Sequence, residues 1–412
     1  MDGIKGARLL FLAFAAAMGG FLFGYDTAVI NGGEQQIQRL WGLSGALHGC
    51  VMSSALWGTV LGALSGGRVT DRLGRKPTLF WVGVFYLVSA VWSGLAAGPW
   101  DLMVARFIGG LGVGVSSIAA PVYISEIAPA ERRGQLGGLF QFNIVLGMVV
   151  SQFVNWAIGT AGLGDATWRW MLGAESVPAL AFTLLCPFLV ESPRWLAQNS
   201  SVHLSSEPAP RFFSKANRKP ILLAFCVAMF NQLSGINAMM YFAKRIFEMA
   251  GLTPQVALGT AAAMSVVLGL GTFTGLFLID RLGRRQLLIF GTVGCILAHF
   301  ATAAAFLLDL GILAAICIFP FIVFFALGQG VVIWVFISEI FPQRFRAQGQ
   351  SWGSFTHWML CAALTFVFPI MAVSWAPWAI FGFFGTCLVA HLLWAVFICP
   401  ETKGKSLEEI KL

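Results

Sequence analysis

Runs of about twenty apolar residues recur from one end of the chain to the other, each separated from the next by a few polar or charged positions. Wound as an α-helix at about 1.5 Å per residue, such a run crosses the roughly 30 Å hydrocarbon layer of a bilayer. The runs fall near 9–31, 46–67, 78–97, 102–124, 136–158, 169–190, 219–242, 255–279, 286–308, 313–337, 348–372 and 376–398. They are continuous and rich in Gly, Ala and Leu, whereas a membrane barrel needs strands of about ten residues with alternating polarity. The pattern predicts an all-α polytopic membrane protein with twelve transmembrane helices and little chain left for a soluble domain. The first run lacks a clear cleavage site and passes through Gly20, Gly24 and Asp26, so it is read as a retained span rather than a signal peptide.

Composition sharpens this reading. Of 412 residues, 58% are hydrophobic and 11% charged, against about 25% charged in ordinary soluble domains. The formal charge of +8 is concentrated in short loops. An N-terminus on the inner side puts Lys5, Arg8, the Arg68 to Lys76 group, Arg132, Arg133, the Arg194 to Lys219 group, Arg281 to Arg285, Arg344, Arg346 and the C-terminal lysines on one face. The other face keeps Arg39, Arg169, Lys244 and Arg245. By the positive-inside rule both termini are expected in the cytoplasm, and the basic loops are expected to meet membrane lipids rather than nucleic acid. The eight cysteines lie in or near apolar runs without CxxC or CxxH spacing, which favours packing roles over disulfides or a metal site.

The chain also repeats itself. Asp71-Arg72-Leu73-Gly74-Arg75-Lys76 returns as Asp280-Arg281-Leu282-Gly283-Arg284-Arg285, and Ser125-Glu126-Ile127 with Pro129 and Arg133 returns as Ser338-Glu339-Ile340 with Pro342 and Arg346. Glu191-Ser192-Pro193 is loosely echoed by Pro400-Glu401-Thr402. The common offset of about 210 residues predicts one six-helix unit followed by a parallel second one, the arrangement of transporters with two halves around a central route. The expected layout is an N-terminal bundle over 1–195, a short linker over 196–218, a C-terminal bundle over 219–399 and a tail over 400–412. The linker supplies no nucleophile and base, metal cluster or phosphate loop, so no enzyme activity and no cofactor is expected.

Three groups of polar residues carry the candidate chemistry. Asp26 lies within the first span, where a carboxylate must face protein or water and needs a partner. Arg106, at the start of the fourth span, is the basic residue best placed to meet it, either as a proton-responsive pair or as a permanent anchor. In the repeated loops Asp71, Arg75, Glu126 and Arg133, and likewise Asp280, Arg284, Glu339 and Arg346, form candidate charged clasps at helix ends; they read either as gates or as topogenic loops. Gln141, Asn143, Asn231, Gln232, Asn237, Trp334, His357 and Trp358 also sit in spans. Amides donate and accept together and indole offers an apolar face, a combination that suits sugar hydroxyls, with interhelical bonding as the alternative for any one residue.

These pieces together resemble the sugar porter family of the major facilitator superfamily, from about Gly19 to the Pro400-Glu401-Thr402-Lys403-Gly404 ending. The resemblance is carried by Gly24-Tyr25-Asp26, both Asp-Arg-Leu-Gly-Arg loops, Arg106-Phe107-Ile108-Gly109-Gly110, Pro121-Val122-Tyr123-Ile124-Ser125-Glu126, Gln141-Phe142-Asn143, Glu191-Ser192-Pro193-Arg194-Trp195 and Gln232-Leu233-Ser234-Gly235-Ile236-Asn237. It implies a major facilitator fold of two six-helix bundles that alternate between outward- and inward-open states around one monosaccharide. Gln141, Gln232, Asn237 and Trp334 are then the implied sugar contacts, joined by Asn231 and His357, with Asp26 and Arg106 as the coupling pair of proton-driven bacterial members. Proton symport in a bacterial inner membrane by a functional monomer is the expectation; uncoupled diffusion and a nontransporting sugar sensor are the alternatives. The sequence departs from the family at Asn231, where Gln is usual; at Leu268, where Asn is common; at Val332 and Ile333, which replace a Pro-containing approach to Trp334; at His357 with Cys361; and in its short central connection.

Overall fold

The computed structural model describes residues 6–129, 133–200, 212–342 and 345–403, and within these it leaves out the side chains of 133–135, 137, 198–200, 216, 280, 346 and 347. The described residues form helices and connecting turns, with no strand among them. Among the described residues, twelve spans are long and apolar enough to cross a membrane. The chain divides into two compact units, Met1–Pro208 and Ala209–Leu412, and the division falls inside the 196–218 segment.

In the first unit α1 is Gly6–Leu40, α2 Gly45–Leu73, α3 Arg75–Leu95, α4 Pro99–Ile127 and α5 Arg133–Thr160. The sixth span is broken into α6 (Thr167–Gly173) and α7 (Ser176–Leu185), and α8 (Pro193–Ser200) follows. Helix α1 packs along α5, and α2 along α4. Both pairs come together backbone to backbone: a Cβ at Gly24 would overlap the Ile144 carbonyl, and one at Gly110 the Ala55 carbonyl. Small residues at such crossings supply the close packing that apolar lipid cannot. Helix α1 also runs beyond the expected span end at 31, because its polar continuation finds partners inside the protein. Asn31 donates to Gln152 Oε1 at 3.1 Å, and the fully buried Glu34 lies 2.8 Å from His48 Nε2.

In the second unit the first span is α9 (Arg218–Leu233) followed by the short α10 (Ile236–Tyr241) and α11 (Ala243–Met249). Next come α12 (Pro254–Leu282), α13 (Arg284–Leu307), a span broken at Gly328 into α14 (Gly311–Leu327) and α15 (Gln329–Ile340), then α16 (Arg346–Ser374) and α17 (Pro377–Phe397). Helix α13 packs against α14 and α17, and α9 against α16. The α9–α10 break turns on Gly235, whose φ of 83° is the left-handed conformation that glycine adopts without a Cβ penalty. Expected as one continuous helix over 219–242, this span is interrupted because its Ser-Gly pair offers the backbone an alternative to the helical ladder.

Candidate functional site

Within the first unit, Asp26 of α1 and Arg106 of α4 are both 2% exposed. Arg106 Nη1 donates to Asp26 Oδ1 at 2.6 Å, and its Nη2 donates to the Asp26 backbone carbonyl at 2.9 Å. The guanidinium is thereby fixed to side chain and main chain at once. Glu175, at the α6–α7 break and also 2% exposed, brings its carboxyl within hydrogen-bonding reach of Asp26. Among the described residues, its Oε1 finds no donor and Ser89 Oγ no partner. The cluster therefore sets two carboxyl groups against one guanidinium in the buried interior of the unit. Two ionised carboxylates in contact repel strongly, so one proton on the pair leaves the cluster electroneutral.

The second unit gathers an amide and aromatic cluster around the α9–α10 break. Gln232 Nε2 lies 3.0 and 3.1 Å from the two ring nitrogens of His357 on α16 and 3.4 Å from Asn231 Oδ1. Its Oε1 accepts from Asn237 Nδ2 at 2.7 Å. The His357 ring stands between two indoles, with centroids 4.9 Å from Trp334 and 4.9 Å from Trp358. Donors, acceptors and flat apolar faces on one surface are what a polyhydroxylated ring requires.

At the repeated loops, Arg75 makes a bidentate pair with Glu126, Nε to Oε2 at 2.9 Å and Nη2 to Oε1 at 2.8 Å. Its Nη1 reaches the Thr70 carbonyl at 3.2 Å and Asp71 Oδ1 at 3.1 Å. Arg284 repeats this with Glu339, Nε to Oε2 at 3.1 Å and Nη2 to Oε1 at 2.8 Å, and with the Ile279 carbonyl at 3.3 Å. Each clasp closes inside its own unit. Glu191 and Glu401 complete them by accepting the first backbone N–H groups of α3 and α13: Arg75 N at 3.0 Å and Arg284 N at 3.0 Å. These are the orphan donors of a helix N-terminus, where a carboxylate is favoured. For Glu401, burial alone would raise the carboxyl's affinity for protons. Four backbone donors, from Lys403, Arg284, Arg285 and Thr402, outweigh that and hold it below its ordinary value.

The profile described as sugar (and other) transporter matches residues 12–208 and 198–412. The chain belongs to the sugar transporter family. This sugar transporter is 33% identical over 437 residues to the arabinose-proton symporter of Bacillus subtilis, covering 98% of this chain and 94% of that one. It is 29% identical over 466 residues to the D-xylose-proton symporter of Escherichia coli, covering 97% and 94%. The crystal structure of a D-xylose-proton symporter superposes with a TM-score of 0.87 at 30% identity, covering 96% of this chain and 99% of that one. The major facilitator fold expected from the motifs is the fold of this sugar transporter.

Against the residues singled out in the sequence, the structure of the sugar transporter pairs Asp26 with Arg106 and joins Asn231, Gln232, Asn237, Trp334 and His357. Gln141 is half-buried on α5, and Asn143 donates to the Leu139 carbonyl of its own helix at 2.8 Å. The side chains of Arg133, Asp280 and Arg346 lie outside the described residues. Glu126, expected as a partner across adjacent helix ends, is engaged by Arg75. Leu268 is buried on α12. Glu175 escaped notice although the signal was present: it is a carboxylate inside the expected 169–190 span, subject to the same argument as Asp26. The 191 and 401 motifs, a loose echo in sequence, have one shared function as helix caps.

Proposed function

We propose that this sugar transporter is a proton-coupled monosaccharide symporter that works by alternating access and makes or breaks no covalent bond. The observation that carries the reading is the buried Asp26–Arg106–Glu175 cluster, whose two carboxyl groups face one guanidinium. Loading a proton onto the pair removes a charge that is costly to move through a low-dielectric interior, while Arg106 holds the ionised form between loadings. Relatives named as arabinose-proton and D-xylose-proton symporters support the same reading. The proposed contacts of a pentose or hexose are Gln141, Asn231, Gln232, Asn237, Trp334 and His357. Sugar and proton then share free energy by linkage.

Sealed vesicles containing the purified protein test it. With an inward-acid gradient, the wild type should accumulate arabinose or xylose above equilibrium and take up protons with it. Asp26→Asn and Glu175→Gln keep shape but remove a titrating carboxyl, so gradient-driven accumulation should vanish in D26N and fall in E175Q while equilibrative exchange persists. Undiminished accumulation in D26N would remove Asp26 from coupling. A wild type that only equilibrates sugar would be a facilitator, and one that binds without flux a sensor.

The two clasps, with Asp71 and Asp280 in the same loops and Arg133 and Arg346 following in the repeats, are proposed to bias the populations of inward and outward states. Neutralising Arg75 or Arg284 should shift the accessibility ratio read by distance labels on both faces; an unchanged ratio would leave the clasps a purely topological role. The same proposal has the protein as a monomer, since one chain supplies both halves, in a bacterial inner membrane and in contact with lipid; the basic loops argue for cytoplasmic termini.

A further inference from the structure

The break between α9 and α10 separates Gln232 from Asn237, and the Asn237 Nδ2 to Gln232 Oε1 bond of 2.7 Å spans it. The geometry of the break therefore sets the spacing of these two amides. Inside it, Ser234 Oγ donates to the Asn231 carbonyl at 2.6 Å, and Gly235 N donates to the Gln232 carbonyl at 3.0 Å. The Ser234 carbonyl, released from the helical ladder, accepts from a side chain of another helix: His299 Nε2 of α13, at 2.9 Å. A buried carbonyl left unsatisfied is costly, so this one bond has leverage over how the chain turns.

His299 is 1% exposed and held on several sides by rings. Its centroid is 4.3 Å from Phe321 of α14 and 5.9 and 6.0 Å from Phe381 and Phe384 of α17. Phe384 also covers the break itself, since a Cβ at Gly235 would come within 2.9 Å of its ring. Among the described residues His299 Nδ1 has no partner in this apolar socket, so the ring serves as a rigid arm with a single donor, Nε2–H, and the acceptor fixes its tautomer. On the other side of the break, His391 of α17 stacks on Phe230 with centroids 5.0 Å apart. The α9–α10 corner is thus clamped to the α13, α14 and α17 platform by one hydrogen bond and a sheath of rings.

We propose that His299 is a positioning residue for sugar recognition: by donating Nε2–H to the Ser234 carbonyl it sets the α9–α10 break and with it the spacing of Gln232 and Asn237. This rests on the reading of those amides as sugar contacts. The discriminating variants are His299→Gln, whose Nε2 reaches the same place, His299→Asn, whose amide is too short, and His299→Leu, which has no donor.

Binding of arabinose and xylose to the purified full-length protein is measured by calorimetry, with Gln232→Ala as reference, alongside KM and maximal rate of sugar exchange. H299L and H299N should weaken binding about five- to tenfold and raise KM with little loss of maximal rate, and H299Q should stay within about twofold of wild type. Should H299L fail to fold, the Gln and Asn variants, both polar, carry the comparison alone. Wild-type affinity in H299N, or equal weakening in folded H299Q and H299N, would overturn the proposal. If the wild type binds neither sugar, or Q232A binds as the wild type does, the amide-site reading fails first and this role with it.

Discussion

Replacing Glu126 and Glu339 separately by Gln isolates what charge contributes to each clasp, and the two clasps differ in burial. The Arg75 and Glu126 side chains are 5% and 11% exposed, whereas those of Arg284 and Glu339 are 12% and 26% exposed. In E126Q, a bidentate charged pair becomes a single neutral acceptor, and Asp71, 73% exposed, offers Arg75 little in exchange. A guanidinium left buried without its carboxylate costs about 3 kcal/mol, the lower end of the range for broken buried pairs. In the wetter second clasp the loss is about 1–2 kcal/mol. At roughly 2–4 °C per kcal/mol for units of this size, the expected falls in Tm are about 6–12 °C for E126Q and about 2–8 °C for E339Q. Thermal unfolding of the purified protein in detergent, followed by intrinsic fluorescence, reads both. Equal shifts, a reversed order or an unmoved E126Q would refute the argument that burial ranks the clasps.

Gln232→Ala removes the bonds to His357 and Asn237 together with any to sugar hydroxyls, and it should weaken sugar binding roughly tenfold in folded protein; unchanged affinity would take Gln232 out of the site. Because Glu401 is held below the ordinary value of 4.5 by backbone donors, its stabilising contribution is present above that value and disappears as pH falls through its lowered one. Wild-type thermal stability should therefore fall on acidification below pH 4.5, and Glu401→Gln should flatten that stretch while lowering stability at neutral pH. Parallel pH profiles for the two proteins would show that the cap carries no such charge.

The helices were legible because each apolar run is long and the loops between them are basic, and Asp26 was legible because a lone carboxylate in a hydrophobic run must find a partner or a proton. Glu175 was harder. It follows Trp168, Arg169 and Trp170, a group that reads as the water-facing end of a span, and only the packing of α6 and α7 against α1 brings it to Asp26. His299 left no periodic signal, since its role depends on a carbonyl freed 65 residues earlier in the chain. The helix breaks at Gly235 and Gly328 were lost for a related reason: a glycine inside a twenty-residue apolar run is common in spans and does not announce whether the backbone turns there. The clustered amides were picked out by motif, but the contacts of the His357 ring with Trp334 and Trp358 are a product of how α15 meets α16.

The Glu401 cap has a temporal side. Helix α13 begins at Arg284, and the carboxylate that satisfies its first N–H groups lies 117 residues further on. At ribosomal speeds of about 5–20 residues per second, that stretch takes roughly 6–23 s to make. Throughout that interval the first N–H groups of α13 have only water to bond, while the Arg285 guanidinium waits for the Ala395 and Val396 carbonyls at the end of α17. These contacts at the start of α13 therefore close only after most of the second unit has been made. Its last helix must be in place, and the three residues Glu401 to Lys403 must fold back onto a loop made long before. Assembly of this half is a closing stitch drawn only once α17 and Glu401 have been made, and insertion machinery that shields α13 until then would be guarding an open seam.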